Sequence, residues 1–93
     1  MPSYLVETFL PRGVAGERAA RERRVRSAAE ELTHKGTRVR LDRTIHVPED
    51  EICFFVFEAP SREDAALAAH IAAVCPLRIV EAASFDNDRQ EEK

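Results

Sequence analysis

The sequence has no Trp, one Tyr, two Cys and only three Gly among its 93 residues. Each shortage excludes something. Three glycines in the whole chain leave little room for a glycine-rich phosphate loop. There is no GxSxG and no Cys–His nucleophile signature. Cys53 and Cys75 sit inside apolar stretches, not in a CxxC. Thiols so placed are more often small buried hydrophobes than ligands or a disulfide framework. No apolar run approaches the ~20 residues that span a bilayer. The opening MPSYLVETFLPRG has neither the basic stretch nor the long apolar stretch of a signal peptide. The expectation is a soluble cytoplasmic protein with no membrane partner.

What is present is charge and short apolar segments. Charged residues make up 33% of the chain, and 14 Lys and Arg against 17 Asp and Glu give a net charge of −3. The charge is uneven. Residues 12–26 hold six Arg against Glu17 and Glu22, whereas residues 49–64 hold six acidic groups against Arg62. An acidic total argues against a nucleic-acid partner. A chain of this length makes one domain with a thin core, burying about 60–65% of its unfolded surface.

The periodicities define six elements. SYLVETFL (Ser3 to Leu10) reads as a strand, and Pro11-Arg12-Gly13 punctuates it. From about Ala15 to Lys35 the period becomes helical, with Val25, Ala28, Ala29 and Leu32 on one stripe and Gly36 as the stop. Thr37 to Val47 alternates: Val39, Leu41, Ile45 and Val47 share a face that Arg43 interrupts, and Arg40, Asp42, Thr44 and His46 share the other. Pro48 to Glu51 is a turn, and Ile52 to Phe57 is the returning strand. Ser61 and Asp64 form an S-x-x-D start for a second helix with a Leu67, Ile71, Val74 stripe, ended by Pro76. Leu77 to Ser84 is a last strand. The order strand, helix, strand, strand, helix, strand is the split βαβ, or ferredoxin-like, arrangement. It predicts an α+β domain over residues 1–85, a four-stranded antiparallel sheet with two helices on one face, and a disordered acidic tail over 86–93.

The segment Ile52 to Phe57 raises a question of coverage. Alternate residues of a strand face opposite ways, so Ile52, Phe54 and Val56 oppose Cys53, Phe55 and Phe57. Both sets are apolar, and two helices cover only one face. A contiguous apolar patch marks an interface or a ligand groove. The expectation is a homodimer packed through the open sheet face, since two-fold association is the commonest solution.

The segments YLVE (Tyr4–Glu7), VPEDE (Val47–Glu51), FEAPS (Phe57–Ser61) and RIVEA (Arg78–Ala82) resemble an actinobacterial family of small ferredoxin-like proteins of unknown function, over Tyr4 to about Ala82. The resemblance implies a dimer. One member is described as nickel-binding, which implies a divalent transition metal as a candidate cofactor. That member's pattern has a His before a Ser in the second strand, and Arg43 before Thr44 stands at the matching position here.

Candidate site residues follow from the same register. If Pro48 to Glu51 is the turn, Val47 faces Ile52 and His46 faces Cys53. That places His46 and Cys53 on the open face with Phe55 and Phe57, and a cross-strand His–Cys pair is half of a soft metal site. A one-residue slip would separate them. His34, in the last turn of the first helix, reads as a cation at the helix dipole. His70 reads as a partly buried structural residue at the margin of the second helix's stripe. Glu7 shares its face with Leu5 and Phe9; its simplest role is an ion pair, with Arg40 or Arg78, and its functional role a base or ligand in an open-face cavity. The predicted metal ligands are His46 and Cys53, and the predicted ligand-binding residues are Glu7, Arg40 and Phe55. The function expected is a homodimeric module binding a transition metal or small ligand between the sheets. The alternative is a cofactor-independent dimeric α+β barrel enzyme, of monooxygenase or isomerase type, using Glu7, His46 and Arg40. An RNA-recognition sheet is disfavoured, because Glu49, Asp50 and Glu51 precede the aromatics where a basic residue and a Gly are needed.

Overall fold

The computed structural model describes residues 1–83. It contains β1 (Ser3–Phe9), α1 (Arg18–His34), β2 (Arg40–Val47), β3 (Ile52–Glu58), α2 (Arg62–Ile71) and β4 (Pro76–Ala82), with 3-10 turns at Arg12–Glu17 and Pro48–Asp50. The strands form one antiparallel sheet in the order β2-β3-β1-β4, the split βαβ arrangement. The expected tail over 86–93, and Ser84 at the expected end of the last strand, lie outside the described residues.

Local chemistry sets the element ends. Ser61 caps α2: its hydroxyl accepts from the Asp64 backbone N–H at 3.2 Å and donates to the Asp64 carboxylate at 3.0 Å. α1 ends where Gly36 takes φ 106°, a conformation that Gly adopts without strain. The outer surface of α1 is threaded with i,i+4 pairs, Arg18–Glu22, Arg26–Glu22 and Lys35–Glu31. At the hairpin, Glu51 takes the left-handed conformation at φ 57°. Its carbonyl accepts from Leu10 N–H at 2.8 Å and its carboxylate from Arg12 N–H at 2.9 Å, tying the exit of β1 to the turn.

The helices bury the stripe Val25, Ala28, Ala29 and Leu32 of α1, as the periodicity predicts. On α2 the expected stripe is wrong in part. Val74 is buried, but Leu67 and Ile71 are exposed, and the buried positions are Ala65, Ala68, Ala69 and Ala72. Small side chains let the short α2 lie close to its neighbours, which leaves its larger apolar residues outside. His70 is exposed too, not partly buried. Cys75 is exposed just before β4, so only Cys53 behaves as a buried thiol.

The sheet decides which face is covered. Tyr4, Val6 and Thr8 of β1 and Cys53, Phe55 and Phe57 of β3 are buried on the helix side. Strand β2 joins them through a bulge. Leu41 pairs with Phe57 and Arg43 with Val56, so Asp42 is an extra residue. Beyond it the phase inverts: Thr44 and His46 face the helices, and Arg43, Ile45 and Val47 face outward. The bulge explains why Arg43 appears to interrupt an apolar face. Regular pairing would place its guanidinium beneath α1 without a partner, which is costly. The other edge strand, β4, has a register break opposite Glu7 and Thr8 and begins at Pro76. Both edges are thereby blunted against strand addition. Among the described residues no helix is long and apolar enough to cross a membrane.

Candidate functional site

The uncovered face of the sheet is a continuous apolar surface. Leu5 and Phe9 come from β1, Ile45 and Val47 from β2, Ile52, Phe54 and Val56 from β3, and Val80 from β4. Cross-strand pairing joins them: Leu5 with Val56 and Val80, Phe9 with Ile52, Ile45 with Phe54 and Val47 with Ile52. Phe9 is 50% exposed and Ile45 42%. Arg43 interrupts this surface beside Val56, and within it sits an ion pair across β1 and β4. Arg78 Nε donates to Glu7 Oε1 at 3.0 Å, so of the two candidate partners Glu7 takes Arg78, not Arg40. Glu7 lies beside Phe54 on a central strand, and its side chain is 23% exposed.

Arg40 lies two strands away, at the start of edge strand β2. Its guanidinium is held by Glu58 at 2.9 Å and by Asp42 at 3.5 Å. Phe55 is on the reverse side of the sheet and fully buried. Glu7, Arg40 and Phe55 are therefore not brought together, and the expectation that Phe55 lines the open face is corrected. The reason lies in β1, whose uncharged alternation Tyr4, Val6 and Thr8 is buried and pairs with the Phe55 side. The ion-paired Glu7 pairs with Phe54.

His46 and Cys53 do pair directly across the hairpin, in the expected register. They lie on the helix side, however, with Phe55 and Phe57, and not on the open face. Here they belong to a small polar cell between β2, β3 and the first half of α1. Thr8 Oγ1 donates to the Cys53 carbonyl at 2.7 Å. Burial pushes the Cys53 thiol above its ordinary value, and the nearby charges of Arg21 and Arg18 offset this only in part. Glu22 borders the same cell. Burial works against its ionisation, but the Arg26 and Arg18 guanidiniums outweigh this and hold its carboxyl below the usual value. Thr44 Oγ1 faces that carboxylate and helps to keep it ionised, yet falls outside hydrogen-bonding geometry. His46 Nε2 is likewise buried without a hydrogen-bond partner. Glu22, Thr44, Arg18 and Arg21 were not legible as neighbours of Cys53, because the bulge that turns Thr44 and His46 inward has no clear sequence signal beyond Arg43. Among the described residues no group of three or more His, Cys, Asp or Glu side chains is arranged to hold a metal ion.

Neither a protein-family model nor a curated protein nor a solved structure matches this chain.

Proposed function

We propose that this chain is a homodimeric binding protein whose two sheets pack face to face and hold a small ligand between them. The observation that carries the reading is the uncovered apolar face of Leu5, Phe9, Ile45, Ile52, Phe54, Val56 and Val80, set around the Glu7–Arg78 pair. Four strands about 4.8 Å apart and seven residues of about 3.3 Å each project to roughly 450 Å² per protomer. Two such faces, once corrugated by side chains, approach the ~1,200 Å² at which specific interfaces begin. Both edges are blunted, which favours association through the face over strand addition. Glu7 and Arg78, with Arg43 beside Val56, supply the polar features that would orient a ligand in a largely apolar compartment.

Light scattering on the purified chain tests the association. The expected mass is twice the 10.5 kDa of one chain, falling to one chain for Phe54→Glu with the fold retained by circular dichroism. A wild-type mass of 10.5 kDa at tens of micromolar overturns the reading.

The buried, unpartnered His46 Nε2 opposite Cys53 favours a second reading, a soft transition-metal ion held beneath α1 instead of between the sheets. Calorimetric titration with nickel, zinc and copper distinguishes it. Stoichiometric heat that disappears in His46→Ala supports the ion, and silence with all three removes it.

A further inference from the structure

At the β2 edge of the sheet, the second half of α1 overhangs the start of β2 and leaves a groove of about 830 Å³. That volume lies within the range of small-ligand sites, roughly 300–1,000 Å³. Its floor is core: Ala29, Val39 and Leu41, each at most 4% exposed. Its walls are fixed to one another. Thr33 Oγ1 donates to the Val39 carbonyl at 2.8 Å and accepts from the Val39 N–H at 3.1 Å, binding the end of α1 to the segment that enters β2. The groove is therefore preformed and apolar at its base.

Its rim carries both signs, in a chain whose total is −3. Arg26, Arg38 and Arg40 face Glu30 and Glu58, with His34 beside them. The three arginines differ. Arg26 is bonded to Glu22 at 3.0 Å and Arg40 to Glu58 at 2.9 Å. Arg38 has no ion pair among the described residues, so its guanidinium is the rim cation free to accept a ligand's acidic group. An Arg fork binds a carboxylate through two parallel N–H donors.

We infer that this groove binds a small organic carboxylate, with its apolar body on Ala29, Val39 and Leu41 and its acid group on Arg38. The groove meets the open face at Arg40 and Glu58, but its floor lies on the helix side, so carboxylate binding there does not require two chains to pair through the sheet.

The test is a titration of the full chain with sodium octanoate, followed by amide chemical shifts. Saturable shifts at Ala29, Thr33, Val39 and Leu41 are expected, with 1-octanol weaker because it has the chain without the charge. Arg38→Ala, a surface change that leaves the floor intact, is expected to weaken octanoate about tenfold, in keeping with the loss of a charged hydrogen-bonded contact. Arg62→Ala is expected to change nothing. Absence of shifts at the groove overturns the site. So does equal binding of octanoate and 1-octanol, or binding unaltered by Arg38→Ala. Shifts confined to Leu5, Ile45 and Phe54 would assign the octanoate to the sheet face and also refute the groove.

Discussion

Phe54 and Phe55 are neighbours on β3 with opposite fates, and truncating each in turn tests the assignment of faces. Phe55 is fully buried between the sheet and the helices. Phe→Ala at such a site costs about 3–5 kcal/mol, transfer and cavity together. A domain of this size has about 5–14 kcal/mol in all. Phe55→Ala therefore removes at least about a fifth of the total. With a urea m-value of about 1–2 kcal/mol/M, its unfolding midpoint should fall by about 1.5–5 M. Phe54 is only partly buried within one protomer, so Phe54→Ala should cost an isolated protomer about 1 kcal/mol. In the proposed dimer its larger effect would fall on association, which would make stability depend on protein concentration. Urea unfolding of both variants across a hundredfold range of concentration separates the two effects. The reasoning fails if Phe55→Ala shifts the midpoint by under about 0.5 M, or if Phe54→Ala is the more damaging at the lowest concentration.

Three further outcomes follow from particular contacts. Ellman's reagent should titrate the exposed Cys75 quickly and reach the buried Cys53 only in denaturant; rapid reaction of both native thiols would contradict the burial of Cys53. Glu22 is held below its ordinary pKa, so its contribution to stability is present above about pH 4.5 and is lost as pH falls through the folded value. The stability gap between wild type and Glu22→Gln should accordingly narrow in urea titrations as pH drops from neutral, and a gap that widens would reverse the sign. Ser61→Ala should cost about 1 kcal/mol by removing the cap of α2, with thermal unfolding as the measure and no change as the contrary result.

The order of elements and the sheet topology were legible because each rests on local signals: alternation in β1, Ser61 at a cap, Gly36 at a helix end and a proline-led turn at Pro48; the hairpin register was not, since a one-residue slip leaves those signals unchanged. The identity of the open face was not legible from β3 alone, where Ile52 to Phe57 is apolar on both sides. The answer lies in β1, where Glu7 marks the outer side and Thr8, whose hydroxyl finds the Cys53 carbonyl, can be inside. On β2 the reading of faces failed for a definite reason. Strict alternation assigns Leu41 and Ile45 to one side, and one extra residue at Asp42 puts them on opposite sides. The stripe of α2 misled in another way, since size and hydrophobicity pointed to Leu67 and Ile71 where close approach selected alanines.

The bulge at Asp42 also bears on how this chain tolerates changes of length. Strand β2 holds one residue more than its pairing with β3 uses. Removing Asp42 would leave Leu41 under α1 and Ile45 outside, with both ends of the strand still in place. The loss would be two exposed ion pairs, to Arg40 and Arg43, of the kind that contribute little. Strand β3 has no such slack. It is paired residue for residue with β1 from Ile52 to Glu58, and losing one residue there would turn part of its inner face outward. Single-residue deletions should therefore be absorbed at the edge of this sheet and rejected at its centre.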